Sequence, residues 1–283
     1  MKRIKAILAF LLLPFLTLIL QAQSKNAAGS LFIIGGGNRS DSLMKQLVET
    51  ANLRNNDYII VLPMASTQPE AGFGLISQQL AKHTGASIRN FDFVNHANNS
   101  QKWVDSLAGA RLIYILGGDQ SRVMKTVLNT PVYKAIHQAY HQGATIAGTS
   151  AGAAVMSKYM ITGRQMKDTV YKETFDKLWD DNIEFTEGLG LLPDVIIDQH
   201  FIKRSRYNRL LSALAEKPDH VCIGIDEGTA IIVKGQKATV AGESQVLRFA
   251  RPEGNKKTST GLLKFQNIQL GVFTAGDVIS LKP

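Results

Sequence analysis

Ala144-Thr145-Ile146-Ala147-Gly148-Thr149-Ser150-Ala151-Gly152 carries a short apolar run into small, helix-compatible residues, and the reading of the chain turns on that change. A buried-type strand ends here, and two glycines bracket a serine in the G-x-S-x-G spacing. A strand-to-helix turn this sharp tolerates only small side chains. It pushes the serine hydroxyl out beyond the sheet and aims the backbone N–H groups that follow, Ala151 first, at a developing oxyanion. Ser150 is therefore a candidate nucleophile. The same five residues also fit an ordinary glycine-rich turn, so the rest of the chain has to supply a base and an acid.

Working outward, the alternation of short apolar runs with stretches of helical length continues in both directions. Apolar runs fall at 31–34, 58–62, 88–93, 112–116, 144–147, 195–197 and 221–225, with helical patterns at 41–53 and 70–82 among those between them. Continuous apolar strands separated by helices predict an α/β fold, with a mostly parallel sheet covered by helices on both faces. From Thr229 onward the pattern becomes C-terminal β-hairpins, with Ile231, Val233, a turn near Gly235, then Val240 and Leu247, expected to extend one edge of the sheet. The charged and aromatic segment 162–193, with Tyr171, Phe175 and Trp179, separates the elbow from the next strand. An insertion of this length is either a decorated surface loop or a wall of the site.

Residues 1–22 read as a secretory signal peptide: Lys2, Arg3 and Lys5, an apolar stretch over 6–20, then Ala22 as the cleavage point. The stretch is shorter than the roughly 20 residues a membrane-spanning helix needs, and Pro14 interrupts it. The expected organisation is thus a leader, 1–22, and a single α/β domain, 23–283, periplasmic or secreted and without stable membrane insertion after cleavage. Removing the leader's three cations lowers the formal charge from +9 to +6, a moderately basic balance that attracts anionic partners. Nucleic acid fits poorly, because the lysines and arginines are dispersed and no nucleic-acid motif occurs. One cysteine, Cys222, forms no internal disulfide and reads as a buried apolar residue. The oligomeric state stays open, a homodimer being one state the sequence allows.

A serine hydroxyl needs a base. His200 directly follows the buried-type run Val195-Ile196-Ile197-Asp198-Gln199, and in a parallel sheet the carboxyl ends of strands share one edge with Ser150. His83, His96, His137, His141 and His220 sit in helical or polar loop contexts. His137 and His141 lie four apart but lack a third ligand, so no metal site is assigned. For the acid, Asp226 and Glu227 follow the strand 221–225; neighbours leave a strand on opposite sides, and the residues alone leave the choice open. The order Ser, His, acid differs from that of α/β-hydrolases. Lys203-Arg204-Ser205-Arg206-Tyr207-Asn208-Arg209 reads as the opening of a helix, where the macrodipole disfavours cations; placed just after His200, they point to recognition of an acidic substrate. Leu116-Gly117-Gly118-Asp119-Gln120 ends another strand, so the N–H groups of Gly118 and Asp119 are candidate oxyanion donors and Gln120 a candidate substrate contact. Gly35-Gly36-Gly37 lacks the dinucleotide pattern, and no cofactor is assigned.

On these residues the chain resembles the cyanophycinase family of serine peptidases, related to aspartyl dipeptidases. The resemblance runs from about Ser30 to the C-terminal hairpins. It rests on 116–120, on Gly148-Thr149-Ser150-Ala151-Gly152-Ala153, on Asp198-Gln199-His200-Phe201 with Arg204, Arg206 and Arg209, and on Gly224-Ile225-Asp226-Glu227-Gly228-Thr229-Ala230. It implies a class I glutamine-amidotransferase-like, flavodoxin-like fold, a nucleophile at Ser150, a base at His200 and an acid at Glu227. It further implies substrate contacts at Gln120, Asp198, Gln199, Arg204, Arg206 and Arg209. The family's polymer is a poly-aspartate backbone bearing arginine on its side-chain carboxyls, from which β-Asp-Arg dipeptides are released. Arginines would then hold aspartyl carboxylates, while Asp198 or acids of the insertion hold the substrate guanidinium. Aspartyl or isoaspartyl dipeptides are the alternative substrates, and an inactive exported protein that binds acidic peptides is a second alternative.

Overall fold

A computed structural model describes residues 29–167, 170, 172 and 174–283; the expected leader and Tyr171 lie outside the described residues. The first half alternates strand and helix: β1 (Ser30–Ile34), α1 (Asp41–Ala51), β2 (Tyr58–Leu62), α2 (Pro69–Ala81), β3 (Ser87–Asn90), α3 (Gln101–Ala108), β4 (Leu112–Ile115), α4 (Gln120–Val127), α5 (Pro131–His141) and β5 (Thr145–Thr149). The second half runs α6 (Ala151–Ala154), β6 (Tyr159–Gln165), β7 (Ile183–Glu187), β8 (Val195–Gln199), α7 (Tyr207–Glu216) and β9 (Val221–Ile225). Strands alone follow: β10 (Thr229–Lys234), β11 (Lys237–Gly242), β12 (Val246–Glu253), β13 (Lys256–Lys257), β14 (Leu263–Lys264), β15 (Asn267–Phe273) and β16 (Val278–Ser280). Local chemistry marks the helix starts: Ser40 accepts the Leu43 N–H, proline opens α2 and α5, and the Asp119 carboxylate accepts the Ser121 N–H.

The large sheet has the order β16-β11-β10-β1-β5-β4-β2-β3, its five first-half strands parallel and its three C-terminal strands antiparallel. Because the inner parallel strands β1, β5, β4 and β2 are almost wholly buried, both of their faces are covered, whereas the edge strand β3 is polar and partly exposed. Phe32, Ile34, Ile59, Val61, Leu112 and Tyr114 pack beneath α1 and α2, while Leu31, Ile33, Ile60, Ile113 and Ile146 pack toward α3, α4, α5 and α6. The expected mostly parallel α/β fold with C-terminal hairpins is therefore what forms.

The expectation of one continuous sheet needs correction. Strands β8 and β9 pair with each other in parallel and belong to a second sheet, β15-β12-β9-β8, so the C-terminal hairpins extend both sheets and not one edge. The two sheets are tied where the site lies. The Ser157 hydroxyl just beyond α6 accepts the Ile197 N–H of β8, and the His200 N–H reaches the Gly35 carbonyl after β1 at 2.7 Å. The second sheet alternates cleanly: Val195, Ile197, Val221 and Ile223 join the main core, while Ile196, Cys222, Leu247 and Phe249 face α7. Cys222 is fully buried there, and burial pushes its thiol pKa far up, as fits an apolar filler. Among the described residues no helix is long and apolar enough to cross a membrane.

Candidate active site

Ser150 stands at the carboxyl end of β5, between β1 and β4, so the loops that leave those two strands flank it. Its backbone, φ 52° and ψ −109°, lies where L-residues rarely go, and the fold holds it there: its N–H continues the ladder to the Ile34 carbonyl at 3.0 Å. The elbow glycine has a steric cause. A Cβ on Gly152 would sit 2.3 Å from the Ile115 carbonyl oxygen, so α6 can lie this close to β4 only without one.

The hydroxyl of Ser150 is 2.8 Å from His200 Nε2, and His200 Nδ1 is 2.6 Å from Glu227 Oε1. A carboxylate accepts only, so Nδ1 carries the proton and Nε2 is left as the acceptor for the serine proton. Burial lowers the His200 pKa most; the Glu227 hydrogen bond opposes this, and the nearby cations Arg204 and Arg206 lower it further. The imidazole is thus neutral at neutral pH. Between the two acids that the residues alone left open, Glu227 faces the ring. Asp226 points the other way, accepting the N–H groups of Ile202 and Lys203 and the Ser244 hydroxyl, and so shapes the turn that carries the basic segment.

Gly35-Gly36-Gly37, dismissed as a dinucleotide loop, has a different part. Gly36, at φ 109°, is the floor beneath the imidazole: a Cβ there would lie 2.3 Å from His200 Cε1. The signal was in the sequence, a glycine run at the end of the strand next to the elbow strand, but its meaning depends on strand order.

A pocket of about 460 Å³ opens over Ser150. Its lining includes Arg204, Arg206 and Arg209 from the basic segment and α7 and, from the insertion, Thr162, Arg164, Glu184 and Thr186. The hairpin of β6 and β7 is therefore a wall of the site. Three expectations change at this level. The Asp119 N–H donates to the Ala65 carbonyl at 3.0 Å, so it does not serve as an oxyanion donor, and its carboxylate caps α4. Asp198 is fully buried and forms a bidentate pair with Arg209, with Arg206 Nη1 at 3.6 Å, so it positions arginines and does not face a substrate. The basic segment is a turn over 201–206 whose Ile202 and Lys203 N–H groups donate to Asp226, and α7 begins only at Tyr207. Gln199 lines the pocket, and its Oε1 accepts from Arg206 Nη1 at 2.9 Å. Gln120 also lines it, its amide nitrogen bound to the Ile161 and Thr162 carbonyls. His137, by contrast, bonds the Leu189 carbonyl with Nε2 at 2.7 Å and is a packing residue.

Fold and site together define an α/β protein with a strand-edge serine, hydrogen bonded to a histidine–glutamate pair beside an arginine-lined pocket. Peptidase family S51 matches residues 31–241, and the chain belongs to that family. It is similar to the cyanophycinase of Nostoc sp., 34% identical over 177 residues, 62% of this chain and 57% of that protein, so the match spans little more than half of the relative's length. A cyanophycinase from Geminocystis herdmanii is 31% identical over 230 residues, 77% of this chain and 80% of that protein. Peptidase E of Actinobacillus pleuropneumoniae is 29% identical over 154 residues, 52% of this chain and 60% of that protein. Among solved structures, a peptidase from an acI-B1 actinobacterium superposes with a TM-score of 0.64 at 24% identity, covering 90% of this chain and 98% of that one, which shows a shared fold.

Proposed function

We propose that the protein is an exported serine peptidase of cyanophycinase type, hydrolysing a poly-aspartate that bears arginine to β-Asp-Arg dipeptides. The observation that carries the reading is the unbroken row Ser150 Oγ, His200 Nε2, His200 Nδ1, Glu227 Oε1 at the floor of an arginine-lined pocket. As the Ser150 oxygen attacks the scissile carbonyl, its proton passes to His200 Nε2. The imidazolium so formed is held by Glu227. The tetrahedral oxyanion takes hydrogen bonds from the N–H groups of Ala151 and Gly118, which flank Ser150 from α6 and from the loop after β4. His200 returns the proton to the leaving amine, and a water deprotonated by the same ring cleaves the acyl-enzyme, restoring the serine.

The arginines give the pocket its preference for carboxylates: Arg209 is fixed by Asp198, and Arg206 by the Gln199 side chain and carbonyl. The likeness to peptidase E favours one second reading, a peptidase for small aspartyl or isoaspartyl dipeptides with the same row of groups. Incubation with cyanophycin and with α- and β-linked aspartyl dipeptides, products identified by mass spectrometry, separates the two. Release of β-Asp-Arg from the polymer supports the first reading, and cleavage of dipeptides alone supports the second. Ser150→Ala is expected to lower turnover by about 10⁴-fold or more. Turnover by neither route, or undiminished turnover by Ser150→Ala, would contradict the mechanism.

A further inference from the structure

One wall of the pocket differs in chemistry from the arginine side. The Gln120 side-chain nitrogen lies 2.9 Å from both the Ile161 and the Thr162 carbonyl oxygens, and only the NH₂ end of an amide can donate to both. What Gln120 has left to offer a ligand is its acceptor, Oε1. The next partner along the wall is Thr162 itself. Its hydroxyl receives the Arg164 N–H, so its single proton goes to the Glu184 carboxylate, with Oε2 at 2.5 Å. That bond fixes the Glu184 side chain while using one of a carboxylate's roughly four acceptor positions. Among the described residues no lysine or arginine nitrogen lies within ion-pair distance of Glu184, although arginines line the same pocket. Glu184 is also held from behind: Glu216, on α7, accepts the N–H groups of Asn182 and Ile183 at the start of β7.

We infer that Glu184, set by Thr162 and adjoined by Gln120 Oε1, is the residue that selects a cationic, donor-rich side group on the substrate, a guanidinium before an ammonium. A planar guanidinium presents paired N–H groups that match a carboxylate and still reach a neighbouring carbonyl-type acceptor; an ammonium is a point charge without that fork. The pocket then offers Arg204, Arg206 and Arg209 to substrate carboxylates and the acceptors of Glu184 and Gln120 to the basic side group, with Arg164 on the same hairpin as Glu184 but outside ion-pair distance of it. This deepens the peptidase reading and rests on it for the kind of substrate, but its test reads binding.

Ser150→Ala protein is titrated calorimetrically with β-Asp-Arg, with β-Asp-citrulline, the uncharged analogue of the same shape, and with β-Asp-Lys. The arginine peptide is expected to bind at least about tenfold more tightly than the citrulline peptide, the size of one hydrogen bond to a charged group. Adding Glu184→Gln should bring the ratio to within about threefold, since a neutral amide no longer rewards the charge. A merely structural role for Glu184 would weaken both ligands and preserve the ratio. Equal affinities in the Ser150→Ala protein, or a ratio that Glu184→Gln leaves unchanged, would overturn the assignment; lysine binding as tightly as arginine would overturn the preference for guanidinium. Wild-type turnover of aspartyl peptides, measured in parallel, keeps the cases apart. Turnover without arginine preference removes this inference and leaves the peptidase, and arginine preference without turnover does the reverse.

Discussion

Ser150 and His200 both have positive φ, 52° and 50°. Such backbone costs about 1–3 kcal/mol per residue and persists where its surroundings leave no alternative. Here the surroundings are the Ile34 carbonyl for Ser150 and the Gly35 carbonyl for His200, adjacent residues at the end of β1. Gly36 then decides where the imidazole lies. Gly36→Ala would push the ring off the Ser150 hydroxyl, and kcat/KM should fall by at least about 10²-fold, the effect of a displacement near 1 Å; circular dichroism should stay near wild type. Wild-type activity in that variant would show that the ring does not depend on this floor. The charge state of His200 gives a second test. The proposed mechanism needs the neutral ring, and burial together with Arg204 and Arg206 lowers its pKa below the ordinary 6.5. The acid limb of kcat/KM against pH should therefore have its midpoint below 6.5, and Arg204→Ala, by removing one opposing cation, should move that midpoint upward.

At the scale of elements, α7 packs on β9 and β12 and is joined to β8 by the buried Asp198–Arg209 pair. Removing one partner leaves the other charge buried without its bidentate partner. Asp198→Asn or Arg209→Met should each cost about 3–5 kcal/mol in urea unfolding, and the double variant should recover part of that loss. Full additivity of the two losses would mean that the pair is not coupled. This contact also explains what the sequence left illegible. The family resemblance implied substrate contacts at Asp198 and Gln199 as well as at the arginines, whose place just after the candidate base already reads as part of a site. Burial decides otherwise for Asp198, and burial of a polar residue inside an apolar run has no signature in one sequence. Asp119 shows the same limit: whether a loop N–H faces a ligand or the neighbouring Ala65 carbonyl depends on how two loops meet. The wall built by β6 and β7 was legible only as an insertion of unusual length, and Glu184 had no motif around it.

Over the whole molecule, periodicity was enough for the parallel half, because mainly apolar strands separated by helices have few ways to be buried. It was not enough for the second sheet, since runs such as 195–197 and 221–225 carry no mark of which neighbours they pair with. The site survives that difference because its three side chains depend on strand ends meeting, and the hydrogen bond from His200 to Gly35 brings the two sheets' ends together. The proposed export rests on residues 1–22 and has its own test: expressed with the leader in a Gram-negative host, the protein should be recovered outside the cytoplasm with its N-terminus at Gln23. A retained leader on cytoplasmic protein would contradict it. The central claim, that Ser150 is a nucleophile activated by His200 and Glu227, is tested most directly by a fluorophosphonate followed by intact and peptide mass spectrometry. One equivalent should add, on the peptide containing Ser150, and addition should fall away in His200→Ala. An unmodified protein, or an adduct on any other residue, would contradict the account.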